Sequence, residues 1–310
     1  MGICRICIKD AGSNADYHRN CLVDLFGSRK PPHLDVDLGE LFALAAQQAG
    51  KMSISGVQAK VLATLSKDRS QLEVVESGSR FIIKPQQAGY SHLPENEHLT
   101  MQLARIVEID TPANGLLSLK DDSLAYVVKR FDRLDDGTKL QVEDFCQLAG
   151  QSPKEKYSGS AELCVRLLNK YASEPLVEIR KLYRQILFGW WVGNGDLHLK
   201  NLSMLTLPGL QHQLSPAYDL VSTVLVIADD DLALPVLGKK QNLTRRTWMD
   251  FASYCELPPK AAEALLSAQA EALEPSIRLV RDSFLPPEIK QRYEAAITDR
   301  TRILKSGKQG

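Results

Sequence analysis

The sequence predicts a two-lobed α+β protein, with a small β-rich lobe over residues 1–133 and a larger α-helical lobe over 134–310. Three observations carry this expectation. Short β-forming runs fill residues 53–131 with only one helical stretch among them. After Arg133 the apolar residues recur with the 3.6-residue period of helices. The length, 310 residues, suffices for about two domains at the usual 100–200 residues each.

Taken in order, YHRNCLVDLFG reads as a helix closed by Gly27, and the two prolines of SRKPPHLDVD mark residues 28–37 as a linker. A short helix is expected at about 38–49, ending at Gly50. From Ser53 a strand-turn-strand texture follows in SISGVQAKVLATLS, then QLEVVES and RFIIKP, with a turn at Ser77-Gly78-Ser79. Residues 94–107 begin with Pro and acids and carry Leu99, Leu103, Ile106 and Val107 on one face, so they form a helix. Strands at 115–119 and 124–131 complete a mostly antiparallel sheet. In the second lobe, Ile179, Leu182, Tyr183, Ile186, Leu187 and Trp190 make one broad stripe on a helix over 175–192 that stops at Gly193.

Composition narrows the function classes. Lys plus Arg equals Asp plus Glu at 38 each, which argues against a chain coated in positive charge for wrapping nucleic acid. From Arg278 onward eight Lys/Arg face four Asp/Glu, which reads as a solvated helix face ahead of a phosphate contact. No helix concentrates Arg and Lys with base-reading Asn or Gln, so contact with DNA is expected only through a partner complex. No run approaches the roughly 20 apolar residues of a membrane span, and the start lacks the order of a secretory signal, so a cytoplasmic protein is expected. Six cysteines are too few for a disulfide scaffold. Three of them, with one histidine, form Cys4-x-x-Cys7 and His18-x-x-Cys21, a spacing that favours a structural Cys3His zinc knuckle over four unconnected side chains.

Four features point in one chemical direction. Ser53-Ile54-Ser55-Gly56-Val57-Gln58-Ala59-Lys60 is read as lying between two strands, where Gly56 allows close backbone approach and N–H groups, hydroxyls and Lys60 can hold a phosphate chain; an ordinary hairpin is the alternative. Lys84 ends an apolar strand, where its ammonium needs an anion partner if buried, and Glu97 on the following helix is the candidate. Asn194-Gly195-Asp196-Leu197-His198-Leu199-Lys200-Asn201 is a polar loop held between two apolar elements. Phosphoryl transfer needs a carboxylate to take the attacking hydroxyl's proton and an amide oxygen nearby for a metal, roles that Asp196 and Asn201 fit. Asp219, twenty-three residues after Asp196, is far enough along for a hairpin to return a second carboxylate towards Asn201, and two oxygen ligands suit magnesium. This order of phosphate loop, Lys, Glu, Asp, Asn and Asp follows the logic of a protein-kinase-like fold.

The ordered set MSISG, FIIKP, ENEH, VVKRFDR, EDFCQ, GNGDLHLKN and SPAYDL resembles the HipA-like toxin kinases, and among them the short HipT kinases of three-gene toxin–antitoxin systems. The resemblance runs from about Met52 to beyond Asp219. It implies a Ser/Thr protein kinase that uses ATP and Mg²⁺ between the two lobes and inactivates an aminoacyl-tRNA synthetase. It makes Asp196 the catalytic base and Asn201 and Asp219 the magnesium ligands. Lys84 contacts the nucleotide phosphates, Lys129, Arg130 and Phe131 form a hinge beside adenine within 129–133, and His198, Lys200 and Tyr218 line the nucleotide site. Ser55, Gly56, Val57, Gln58 and Lys60 belong to the phosphate loop, in which Ser53 and Ser55 match autophosphorylated serines. The loop is reached by residue 53, which leaves no room for the extra N-terminal subdomain of a long HipA. In three-gene systems that subdomain is a separate small HipS-like antitoxin, and a HipB-like subunit binds DNA. The Cys/His cluster is outside this resemblance.

Two other classes stay open at this point. A small-molecule phosphotransferase would use the same Asp and Asn but label a metabolite without any protein substrate. A non-catalytic, zinc-containing DNA-associated subunit would bind DNA without hydrolysing ATP.

Overall fold

The computed structural model describes the chain apart from Met1, Asn14, residues 51–58, Asp135, Leu210, residues 228, 229 and 231, and residues 307–310, with only the backbone described at 49 and 50. It divides into two compact units. The first comprises Met1–Gln102, Pro112–Thr138 and Asp282–Leu285; the second comprises Leu103–Thr111, Lys139–Arg281 and Pro286–Gly310.

The first unit is built on a five-stranded antiparallel sheet of β3 (Val61–Leu65), β4 (Leu72–Val74), β5 (Phe81–Lys84), β6 (Asn114–Ser118) and β7 (Leu124–Lys129), in the order β4-β3-β5-β7-β6. Alternation decides its inner face. Val61, Ala63, Phe81, Ile83, Leu117, Ala125 and Val127 are buried together with Leu25, Phe26, Leu34 and Leu41. Two helices supply three of the latter four: α1 (Arg19–Phe26), closed by Gly27 at φ 64°, carries Leu25 and Phe26, and α2 (Leu38–Gly50) carries Leu41, while Leu34 comes from the stretch between them. Ahead of them a small hairpin pairs β1 (Gly2–Ile3) with β2 (Asp10–Gly12). The proline-containing stretch at 28–37 is not a free linker. His33 bridges Gln71, its N–H donating to the Ser70 carbonyl and its carbonyl accepting from the Leu72 N–H, and Leu34 is buried. Proline removes a donor but leaves its neighbours able to pair.

Between β5 and β6 runs α3 (Leu93–Ile106), whose residues from Asn96 to Ala104 are all buried. The expected single apolar face is therefore too narrow a description, and the polar positions must find partners inside. Thr100 donates its hydroxyl to the Asn96 carbonyl at 2.8 Å, and Gln102 donates its amide to Asn114 Oδ1 at 3.0 Å.

In the second unit α5 (Ala161–Tyr171) begins on a Ser160 cap that accepts from the Leu163 N–H, and α6 (Pro175–Val192) begins with Pro at its first position and ends at Gly193, φ 71°. The stripe read from the sequence packs as an aromatic core. Tyr183 stacks on Phe251 of α7 (Arg245–Tyr254), and Trp190 tilts against Trp248 with centroids 5.4 Å apart. Trp191 donates its indole N–H to Thr301 at 2.8 Å on α10 (Pro287–Lys305), the basic C-terminal helix, which buries Ile289, Tyr293, Ile297 and Leu304. Helices α8 (Pro259–Glu271) and α9 (Leu273–Asp282) complete the layer.

Helical periodicity does not describe the whole second half. A three-stranded antiparallel sheet joins β8 (Gln141–Asp144), β9 (Ser203–Leu207) and β10 (Gln211–Leu214), with β9 in the centre. A four-residue helix, α4 (Phe145–Leu148), follows β8 directly. Among the described residues no helix is long and apolar enough to cross a membrane.

Candidate active site

The polar loop after α6 is shaped by its two ends. Gly193 takes the left-handed conformation that closes the helix, and Thr223 binds both sides of the exit: its hydroxyl donates to the Gly193 carbonyl at 3.0 Å and accepts from the Gly195 N–H at 2.6 Å. Asn194, fully buried, accepts the Asp196 N–H on its side-chain oxygen at 2.9 Å. The chain then makes one 3-10 turn at Leu199–Asn201 and enters β9. Asn201 donates Nδ2 to the Asp196 carbonyl at 2.8 Å. That bond fixes the amide flip, since only the nitrogen end can donate to a carbonyl, and turns Oδ1 away from it.

Hairpin β9–β10 then brings the next segment back. Leu214 pairs with Met204, and the Ser215 N–H donates to the Ser203 carbonyl at 2.8 Å. Tyr218 continues the return: its hydroxyl donates to the Lys200 carbonyl at 2.9 Å and meets Ser203 Oγ at 2.5 Å. Asp219 comes next with φ 53°, a left-handed value that Asp adopts more readily than most residues but that the surroundings must hold. Burial lowers the His198 pKa below its usual range, against the charges of Asp196 and Asp219, which favour the imidazolium. Asp196, His198, Asn201, Tyr218 and Asp219 therefore share one neighbourhood of the second unit.

Two further residues complete it. Tyr157 donates its hydroxyl to Asp196 Oδ1 at 2.6 Å and stands edge-on to the His198 ring, centroids 5.0 Å apart. Asp144, at the end of β8, pairs with Lys200 at 2.6 Å, so the ammonium expected to line a nucleotide site is held by a carboxylate. No local pattern marks Tyr157, thirty-nine residues before Asp196. Asp144 carries a legible signal of its own, the Asp-x-x-Gln capping box of α4, but nothing in it names Lys200 as a partner.

In the first unit Lys84 and Glu97 form an ion pair at 2.6 Å with both side chains buried, and Lys84 also lies over the Tyr126 ring. Lys129 ends β7 opposite Phe81. Arg130 is drawn into a different cluster, a two-pronged pair with Asp132 and a bond to Ser79 Oγ, next to the half-buried Phe131. Of the expected phosphate loop, Ser53, Ser55, Gly56, Val57 and Gln58 lie outside the described residues, and Ala59 and Lys60 lead into β3.

Cys4, Cys7, His18 and Cys21 also converge, with ligand atoms all within 4.8 Å of one another. A hydrogen bond with Cys7 holds the pKa of the Cys4 thiol below its usual range, and the same bond raises that of Cys7.

The family model for the HipA-like C-terminal domain matches residues 52–277, a span that contains both Lys84 and the Asp196–Asp219 cluster. The chain belongs to the HipA-like family. This HipA-like chain is 33% identical over 238 residues to putative kinase Y4dM of Sinorhizobium fredii, covering 72% of the chain and 56% of that protein. It is 29% identical over 193 residues to the serine/threonine-protein kinase toxin HipA of Shewanella oneidensis, covering 56% and 43%. It spans about half the length of these two relatives. The solved complex of Shewanella oneidensis HipA with HipB and operator DNA contains a chain that matches with a TM-score of 0.69 at 22% identity, over 82% of this chain and 65% of that one. The α+β architecture of this HipA-like chain is thus the kinase-like fold of HipA.

Proposed function

We propose that this chain is a Ser/Thr protein kinase toxin of the HipA type, transferring the γ-phosphate of ATP to a hydroxyl of a protein substrate. The observation that carries the reading is the convergence of Asp196, Asn201 and Asp219 on one short loop and the hairpin that follows it. An amide oxygen and a carboxylate are hard oxygen donors of the kind magnesium takes. Asn201 and Asp219 would hold the ion, which when bound neutralises charge on the transferred group. Asp196 accepts the proton of the attacking hydroxyl. Tyr157 occupies its Oδ1 and orients the carboxylate, leaving Oδ2 for that proton. Lys84, held by Glu97, contacts the nucleotide phosphates, and Lys129 to Phe131 lie beside the adenine.

By the same reading Ser53 and Ser55 are autophosphorylated, and a phosphoserine there places up to about two negative charges where ATP phosphates bind, so modification and nucleotide binding oppose each other. The substrate is an aminoacyl-tRNA synthetase, and the antitoxins are a small HipS-like protein and a HipB-like DNA-binding protein, all in the bacterial cytoplasm. Incubating the purified chain with ATP, Mg²⁺ and a cell lysate, then locating phosphosites by mass spectrometry, tests this. New phosphoserine or phosphothreonine on a synthetase, with Ser53 or Ser55 modified on the kinase, is expected. A labelled metabolite with no labelled protein identifies a small-molecule phosphotransferase instead.

A further inference from the structure

The described residues among the first 27 make two very short strands and one two-turn helix, too little to fold by their own apolar burial. Yet they hold a strained turn: Ile8, a β-branched residue, sits buried at φ 56° directly after Cys7. What gathers at this turn is chemically specific. Cys7 Sγ lies 3.3 Å from His18 Nδ1, and Cys21 Sγ lies 3.8 Å from the same atom. With Zn–S of about 2.3 Å and Zn–N of about 2.0–2.1 Å, a tetrahedral zinc site separates neighbouring ligand atoms by about 3.5–3.8 Å, the range that these distances bracket.

The surroundings set the donors for a metal. His18 Nε2 lies 2.9 Å from the Asp10 carbonyl, which can only accept, so Nε2 carries the hydrogen and Nδ1 presents its lone pair to the cysteines. His18 is the residue ahead of α1 but does not cap it with its side chain; the ring turns into the cluster instead. Cys4 Sγ, fully buried, accepts the His18 N–H at 3.3 Å, as a thiolate ligand does. Three sulfurs and one imidazole fill four positions, leaving none for substrate, which is the pattern of a structural and not a catalytic zinc.

We propose that Cys4, Cys7, His18 and Cys21 bind one Zn²⁺ per chain, and that this ion staples the N-terminal segment onto one edge of the five-stranded sheet. Strand β6 is that edge, and its unpaired groups are taken by the segment. The Leu116 N–H donates to the Arg5 carbonyl at 2.8 Å, and the Tyr17 hydroxyl donates to the Leu116 carbonyl at 2.9 Å. A Cβ on Gly115 would stand 2.8 Å from Ile6 and 3.0 Å from the Arg5 carbonyl, so the segment lies directly on the strand. His98 of α3 takes hold of the same turn, its Nε2 3.0 Å from the Ile6 carbonyl.

The test is the metal content of the full chain, expressed with zinc in the medium and dialysed without chelator. One zinc per chain is expected, released when a mercurial titrates the thiols. Cobalt exchanged into the site should give the absorption of a tetrahedral thiolate complex. Cys7→Ser with Cys21→Ser should lower zinc content at least tenfold, and His18→Ala should lower it while His18→Cys retains it. Removing the metal from the unaltered chain should speed hydrogen exchange at the Leu116 amide. A wild-type chain without zinc, a Cys4–Cys7 disulfide in its place, full zinc in the double variant, or unchanged exchange at Leu116 on metal removal would each overturn the proposal.

Discussion

Asn201 donates its side-chain amide to the backbone carbonyl of Asp196 across 2.8 Å. The two residues are separated by one 3-10 turn, so a bond made to the main chain, and not to the carboxylate, ties them without consuming the oxygens that chemistry needs. Asn201→Leu removes that tie and the amide oxygen together. Phosphoryl transfer is expected to fall by roughly 10²–10³-fold, the scale of losing one preorganised electrostatic group. Initial rates of ³²P incorporation at saturating ATP measure it, with circular dichroism as the control for folding.

Lys84 and Glu97 are both buried, and their pairing separates stability from activity. Glu97→Gln leaves an ammonium without its carboxylate, and the chain is expected to lose about 3–5 kcal/mol in urea denaturation. Lys84→Met combined with Glu97→Leu should recover most of that loss, because two apolar side chains replace a desolvated pair. Phosphoryl transfer should stay absent in the double variant. Recovery of activity along with stability would remove Lys84 from the nucleotide site.

Gly193 closes α6 at φ 71°, and a Cβ there would meet Val224 Cγ2 at 2.5 Å. Gly193→Ala should therefore cost about 1–3 kcal/mol from backbone strain, with steric crowding added. Since Thr223 binds both Gly193 and Gly195, the same substitution should reduce phosphoryl transfer as well as the denaturation midpoint.

Asp132 supplies a pH dependence. Burial raises its pKa, but the Arg130 hydrogen bond and the charges of Arg130 and Arg133 outweigh burial and hold the carboxyl below its usual value. With the folded value below the unfolded one of about 3.9, its stabilisation is present above that value and is lost as pH falls through the lowered one. Thermal midpoints between pH 7 and pH 2 should drop more steeply for wild type than for Asp132→Asn. The variant should be the less stable of the two at pH 7.

Where local chemistry decides the structure, the sequence was a sufficient guide. Gly27 and Gly193 end helices because each left-handed position admits glycine, and the stripe from Ile179 to Trp190 is buried as its period requires. Strand β8 was not legible. Gln141–Asp144 alternates only between exposed and half-buried positions at a sheet edge, so it carries little apolar signal. Of the polar residues of α3, Glu97 was legible as the partner of Lys84, but His98 and Gln102 were not, since their partners, the Ile6 carbonyl and Asn114, lie in other elements that no local pattern connects to the helix. In the candidate site, Asp196 and Asn201 stand out through their spacing. Tyr157 and Asp144 join them only through folding, by contacts thirty-nine and fifty-six residues away in sequence.

The central claim is that Asp196 is the base of a protein kinase. It is tested by following [γ-³²P]ATP label into protein with wild type, Asp196→Asn and Asp219→Asn side by side. Asn preserves the size and the Tyr157 hydrogen bond of Asp196, so both variants should fold as wild type does and transfer no measurable label. Labelling by either variant at the wild-type rate would contradict the assignment.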